Sequence, residues 1–401
     1  MAVSRRRFVG GIAAALGYIG ARPDVDLFAQ QGRAGVPGQG GRGPRPTVDL
    51  TKVAKINNNE NPYGVPPAVR TAMEDPKAWE WANRYGAPDG GLNQALQELH
   101  GVKAENIILG CGSGELLSSI TIALLIGDPK KKVLGVNPTY GDPYSKAAQI
   151  GRETIRVALN KDYTQNIPAI IDIANKRADE IGFVYIVNPN NPTGMIVPKD
   201  QIKQLLDGIP KDMPVLIDEA YHHFVDSPNY ESSMKYVLEG RPVIVCRTFS
   251  KIAALAAMRL GYGIAPPELI RKVRTFTTGS QSITVKFGGA ASLKDTAGQA
   301  KTKALNKQIR DDTIAKLRAL GYEVLPSEAN FFMVGLKREV SAVAPEFQKR
   351  DVLVGRPFAP MTQHLRVSVG TQAEMDKFVA AFKEIMAPAK ASAGRIAVTS
   401  R

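Results

Sequence analysis

From residue 107 onward the chain alternates short, continuous apolar runs with segments whose apolar residues recur at helical spacing. The runs fall at 107–110, 132–138, 154–159, 181–189, 214–219, 242–247 and 260–265, separated mostly by amphipathic stretches such as 140–151 and 199–207. A strand with one face in water alternates apolar and polar residues, so uninterrupted runs predict strands covered on both faces. The expected fold is α/β, with a seven-stranded, mostly parallel sheet in a large domain. Ligand sites in such sheets lie beyond the carboxyl ends of the strands. The pattern changes after Leu293: a long polar helix at about 298–320 is followed by apolar stretches within 322–334, 352–358 and 364–371. These predict a smaller α+β domain over 294–386, to which the N-terminal segment 49–80 returns; the large domain then spans 81–293.

The ends of the chain have a different character. Ser4-Arg5-Arg6-Arg7-Phe8-Val9 precedes a weakly apolar, Gly/Ala-rich stretch from Phe8 to Ala21, and Leu27-Phe28-Ala29 offers a cleavage site. This arrangement predicts a twin-arginine export signal over 1–29, read by the export machinery. Residues 30–48 are rich in Gly, Pro and Arg, and the tail 387–401 in Ala; both read as segments without a core. Seven arginines and two aspartates put +5 on residues 1–48, leaving +9 of the formal +14 for the remainder. That excess suits anionic small molecules, and no basic run interleaved with aromatics suggests a nucleic-acid partner. No apolar stretch reaches the ~20 residues of a membrane span. Cys111 and Cys246 lack metal-ligand spacing and read as small buried residues, and the adjacent His222 and His223, read as strand neighbours on opposite faces, do not suggest a shared metal.

The candidate chemistry gathers where the runs end. After Cys246 come Thr248, Ser250 and Lys251, then small residues and Arg259. A lysine in a dry pocket can lose its proton and form a Schiff base, and two hydroxyls with a guanidinium clamp a phosphate. Pyridoxal phosphate is the cofactor that needs both. Asp218 ends another run, with Tyr221 three residues on, and Asn191 follows the run at 181–189. Ile107-Ile108-Leu109-Gly110-Cys111-Gly112-Ser113-Gly114-Glu115 reads as a strand, a glycine turn and a helix start, which would add Ser113, Gly114 and Glu115 to the phosphate cradle. Asp218 would face the pyridine nitrogen, where a carboxylate ~4 Å from a pyridinium is worth about 4 kcal/mol, or about three pKa units. Tyr221 and Asn191 would bond the ring oxygen, Tyr140 would stack on the ring, and Arg366 would grip a substrate carboxylate with its planar fork.

This ordered set resembles the fold-type I pyridoxal-phosphate aminotransferases over roughly residues 52 to 385, and within them most closely the histidinol-phosphate aminotransferase branch. The resemblance implies a homodimer in which Tyr85, in Asn83-Arg84-Tyr85-Gly86-Ala87-Pro88, serves the neighbouring subunit's cofactor phosphate. It also places Arg356 and Tyr63 at the distal end of the substrate, where the histidinol-phosphate enzymes hold a phosphate. The expected reaction moves an amino group from an amino acid or related amine, histidinol phosphate among them, to a 2-oxo acid such as 2-oxoglutarate. Two departures stand out. Gly86-Ala87 separates Tyr85 from the proline that normally follows it directly, and Thr277 to Thr284 replaces a Pro- and Asn-containing loop. A decarboxylase, lyase or racemase with the same cofactor shell, and a non-catalytic ligand-binding protein, stay open at this point.

Export should depend on the guanidinium pair rather than on charge. Arg5→Lys/Arg6→Lys, extended to Arg7→Lys if two replacements do not suffice, is expected to leave the protein in the cytoplasm. Fractionation that finds the triple-lysine variant in the periplasm would refute the export reading.

Overall fold

The computed structural model describes Asp49 and residues 51–387; the twin-arginine segment, the linker and most of the tail lie outside the described residues. Strand β1 (Ala54–Lys55) comes first, followed by β2 (Ile107–Gly110), β3 (Lys132–Asn137), β4 (Thr154–Ala158) and β5 (Ile181–Val187). Then come β6 (Val215–Asp218), β7 (Val243–Thr248), β8 (Gly261–Ile264), β9 (Phe331–Gly335), β10 (Val352–Leu353) and β11 (His364–Ser368). Seven of them form one sheet in the order β2-β8-β7-β6-β5-β3-β4. Its pairings are parallel except around β8, which runs antiparallel to both β7 and β2.

The apolar runs form this sheet because both faces are covered. Every residue of β5 is buried. Its Phe183, Tyr185 and Val187 join the core on one side with Leu216 and Ile244, while Val184 and Ile186 join the other with Val215, Ile217 and Val245. One cover is the helix Ser113–Leu125, whose Leu116, Leu117 and Ile120 are fully buried. Strand alternation therefore feeds two cores from the central runs, which an exposed sheet face could not do.

A second core lies beyond the sheet. Antiparallel β9 and β11 and the parallel pair β1–β10 pack with the helices Val340–Gln348 and Gln372–Met386 around Phe347, Phe378 and Phe382. Pairing of Ala54 with Val352 and Lys55 with Leu353 brings the start of the N-terminal segment into this unit, whereas Val69 and Met73 further along it join the core of the large sheet. The helix Thr296–Ala319 joins the two parts; Asp295 caps it by accepting from Gly298 N at 3.0 Å. No helix among the described residues is long and apolar enough to cross a membrane.

Two local readings need correction. His222 and His223 sit not on a strand but on a short 3-10 turn, His222–Phe224, because the chain leaves the sheet at Asp218. Their rings then lie with centroids 3.7 Å apart, tilted by 41°, and burial holds both imidazoles neutral. Cys246 is buried, but Cys111 is half-exposed because it lies on the turn after β2; both thiols are free.

Candidate active site

β3, β5, β6 and β7 are parallel neighbours, so their carboxyl ends share one edge of the sheet. The antiparallel β8 returns β2 to the same direction, which brings the turn after Gly110 to that edge as well. A cavity of about 370 Å³ opens there, walled by Ser113, Gly114, Tyr140, Asp218, Tyr221 and Lys251, with Thr248, Ser250 and Arg259 at one end. A larger hollow of about 680 Å³ lies beside it against Lys52, Lys55 and Glu374 and shares Glu60 and Ser250, but it gathers no comparable set of reactive groups.

The cradle end follows from local geometry. Thr248 Oγ1 donates to Ser250 Oγ at 2.9 Å and accepts from Ser250 N at 3.1 Å, which fixes both hydroxyls side by side. Arg259 has a left-handed backbone (φ 59°), an uncommon state for a non-glycine residue, and its Nη1 donates to Ala256 O at 2.8 Å. Its guanidinium crosses directly over Gly112, where a Cβ would collide with it, and Gly112 itself has φ 82°. A Cβ on Gly261 would likewise meet Ser113 N at 2.5 Å, so this close approach requires glycine. The first amides of the helix starting at Ser113 thereby face the Ser/Thr/Arg cluster, a donor set that matches a phosphate.

Glu115 has a different task from the one its position suggested. Its carboxylate accepts from Cys111 N at 2.6 Å, Thr278 N at 2.9 Å and Gly279 N at 2.6 Å. These bonds hold its pKa below the usual range against the opposing effect of burial, and they tie the 277–279 loop to the cradle. The side chain is a staple for two loops.

At the other end of the cavity, burial moves two opposite charges toward neutrality. Asp218, 2% exposed, accepts from Ala220 N at 3.1 Å, and desolvation pushes its pKa up to about 7. Lys251 donates to Asn58 O at 3.4 Å and lies 5.6 Å from the centre of the Tyr221 ring. Burial first, then the Arg366 charge, lowers its amine to about 8. Next to these residues, but turned to the far side, Glu219 accepts from Arg247 Nη2 at 2.8 Å and Nε at 3.1 Å, with both side chains buried. Ser232 Oγ and Ser233 N complete the carboxylate's shell.

A buried polar chain closes the substrate side. Tyr221 Oη accepts from Asn59 Nδ2 at 3.1 Å and Asn191 Nδ2 at 3.3 Å, and burial raises its pKa to about 12. Asn191 Oδ1 in turn accepts from Arg366 Nη1 at 2.7 Å, while Arg366 Nη2 donates to Asn57 O at 2.7 Å. Arg366 is 6% exposed, burial lowers it to about 10, and its Nε has no protein partner. Arg356 and Arg366 flank the Phe358 ring, 4.4 and 4.8 Å from its centroid. Tyr63 is exposed, and Tyr85 is fully exposed and outside the cavity walls. Asn58 and Glu60 also line this cavity, though neither is singled out by the sequence, and Asn59 Oδ1 accepts from Ser368 Oγ at 2.8 Å.

The donor set fits pyridoxal phosphate: an amine near neutrality, a carboxyl across from it, a phenol held by two amides, and an anion cradle. The family model for aminotransferases of class I and II matches residues 51–382. The chain belongs to this family. The histidinol-phosphate aminotransferase of Moorella thermoacetica is 33% identical over 361 residues, 88% of this chain and 90% of that protein. Histidinol-phosphate aminotransferase 1 of Mesorhizobium japonicum is 33% identical over 344 residues, 84% and 91% of the two chains. The crystal structure of a histidinol-phosphate aminotransferase from Sinorhizobium meliloti in complex with pyridoxal-5'-phosphate has a TM-score of 0.76 at 24% identity, covering 83% of this chain and 91% of that one. That last likeness speaks for the fold, which is that of the fold-type I aminotransferases.

In this aminotransferase the raised Asp218 pKa makes stability depend on pH. The carboxyl binds its proton more tightly in the folded state, so its contribution is fully present below the unfolded value of 3.8 and is lost as pH rises through about 7. Asp218→Asn removes that loss. The cofactor-free variant should exceed wild type at pH 8 by roughly 2–4 kcal/mol, with a much smaller gap at pH 4, while binding the cofactor more weakly. Urea midpoints at both pH values, with a cofactor titration, check this; an equal gap at both would discard the buried carboxylate as the cause.

Proposed function

We propose that the chain is a pyridoxal-phosphate-dependent aminotransferase moving an amino group from an amino acid or related amine to a 2-oxo acid such as 2-oxoglutarate. The observation that carries this reading is the convergence of Lys251, Asp218 and Tyr221 with the Ser113/Thr248/Ser250/Arg259 cradle at one sheet edge. Pyridoxal phosphate, when bound, supplies a carbonyl carbon that amines condense with and a ring that draws off the electron pair left on the substrate's α-carbon. Lys251, whose amine burial lowers to about 8, would hold the cofactor and would move the proton at the substrate's α-carbon. Asp218 would face the ring nitrogen and favour its protonated form, and Tyr221 with the Asn191 bonded to it would serve the ring oxygen. Arg366, held by Asn191 and Asn57 and with its Nε lacking a hydrogen-bond partner, would bind the substrate carboxylate. Histidinol phosphate is the first donor to test, since the relatives compared carry that name and Arg356 stands beside Arg366 at the Phe358 ring. We further propose export through residues 1–29, with the enzyme working in the periplasm.

Wild-type protein incubated with histidinol phosphate or a panel of amino acids should convert 2-oxoglutarate to glutamate. Borohydride should fix the cofactor to Lys251, and Lys251→Ala should bind it without attachment. Carbon dioxide release or racemisation without glutamate, or attachment to another lysine, would reject the assignment.

We also propose that the site is completed in a homodimer by the partner's Tyr85. Tyr85 is fully exposed, and Trp79 and Trp81 near it are 62% and 42% exposed, an apolar surface of the kind that marks protein contacts. One hydrogen bond to a dianion predicts that Tyr85→Phe weakens cofactor affinity about tenfold to a hundredfold. Mixing inactive Lys251→Ala with a Tyr85→Ala variant should restore activity in heterodimers with one intact site. Heterodimers without activity would place Tyr85 outside the shared site.

A further inference from the structure

Tyr140 follows β3 and forms one wall of the cavity opposite the reactive groups. Its hydroxyl donates to Asp142 Oδ2 at 2.8 Å. Asp142 is the first residue of the helix Asp142–Gln149, where the free amides of the first turn favour a carboxyl group. The same Oδ2 lies against the phosphate cradle: a Cβ on Gly114 would come within 3.2 Å of it. One carboxyl oxygen thus bridges the aromatic wall and the backbone at the cradle's helix start. The groups around it are Tyr140, Lys146 and Arg259, with Asp218 across the cavity.

We propose that Asp142 is a positioning residue for amino transfer: through its hydrogen bond it fixes the Tyr140 ring at a set height above the phosphate cradle. The proposal rests on the pyridoxal-phosphate reading above and adds a residue that the ordered motifs did not mark. The phenol oxygen lies on the Cβ–Cγ axis of the ring, so a hydrogen bond there fixes where that axis runs, and with it the height of the ring, while the ring can still turn about the axis. A flat cofactor clamped at its phosphate needs a fixed ring face to define its tilt. A carboxylate this close to a phosphate would oppose binding if fully ionised. Burial already pushes Asp142 up to about 6, and either protonation state leaves an oxygen to accept from Tyr140.

A double-mutant cycle on the cofactor-loaded enzyme tests this, read by pyridoxal phosphate affinity and by the visible circular dichroism of the bound cofactor. Asp142→Ala and Tyr140→Phe should each weaken affinity about tenfold and change the dichroic band, and the double variant should be no worse than either. Asp142→Asn, which keeps an acceptor oxygen, should restore the wild-type band. Additive losses, tighter binding by Asp142→Ala, or an Asn variant as impaired as the Ala variant would each overturn the proposal. If Asp142→Ala does not fold, Tyr140→Phe with an unchanged band overturns it alone. Wild-type protein that takes up no pyridoxal phosphate would overturn the functional reading along with it, an outcome distinct from every variant result.

Discussion

The buried ion pair between Glu219 and Arg247 is the contact on which the rest of the site leans. Each partner is chain neighbour to a functional group, Glu219 to Asp218 and Arg247 to Thr248, and each points to the opposite side of the sheet from that group. Glu219 N also donates to Cys246 O at 2.8 Å, extending the β6–β7 ladder by one step. Removing one member of such a pair strands a buried charge and costs roughly 3–5 kcal/mol. Here the damage would reach the carboxyl and the hydroxyl that face the cavity, because strand alternation couples the two faces. The pair contributes more to register than to net stability.

The second constraint is that Asp218 and Lys251 are held without pairing to one another. Asp218 leans on a backbone amide and Lys251 on the Asn58 carbonyl. A direct ion pair would have kept both charged and shielded. Held apart and desolvated, both charges are destabilised: a protonated ring nitrogen would restore the Asp218 carboxylate, and the lowered Lys251 amine is suited to covalent attachment. The cofactor-free fold bears an electrostatic penalty that a ligand with the right charges relieves.

Much of this was legible in residue order, and the exceptions have physical causes. Six of the seven large-sheet strands appear as apolar runs because both faces are covered, whereas the edge strand β4 has no buried residue, and Lys251, Asp218 and Arg259 appear because reactive types interrupt or follow those runs. The direction of β8 was not legible, since a four-residue buried strand reads alike in either sense. His222 and His223 were misplaced because periodicity cannot register a turn of three residues. Asp142 escaped notice, and Glu115 was read as part of the cradle without its loop contacts, because their roles depend on partners: Asp142 matters through Tyr140, and the Glu115 carboxylate through amides at positions 278 and 279. Asn59 was hidden in a stretch of asparagines in which only geometry selects the one that reaches Tyr221.

The reversed strand β8 has a kinetic consequence. Thr248 pairs with Gly261 across a short excursion, whereas Val184 waits for Val215, Val215 for Val243, and Ile107 for Ile264. Loop closure grows costlier with the length of chain to be gathered, so the β7–β8 hairpin is the cheapest pairing in its part of the sheet. It carries Thr248, Ser250, Lys251 and Arg259 between its two arms. The lysine and most of the anion clamp can therefore meet before the long-range strands have found their neighbours, giving the nascent chain an early, ligand-sensitive nucleus.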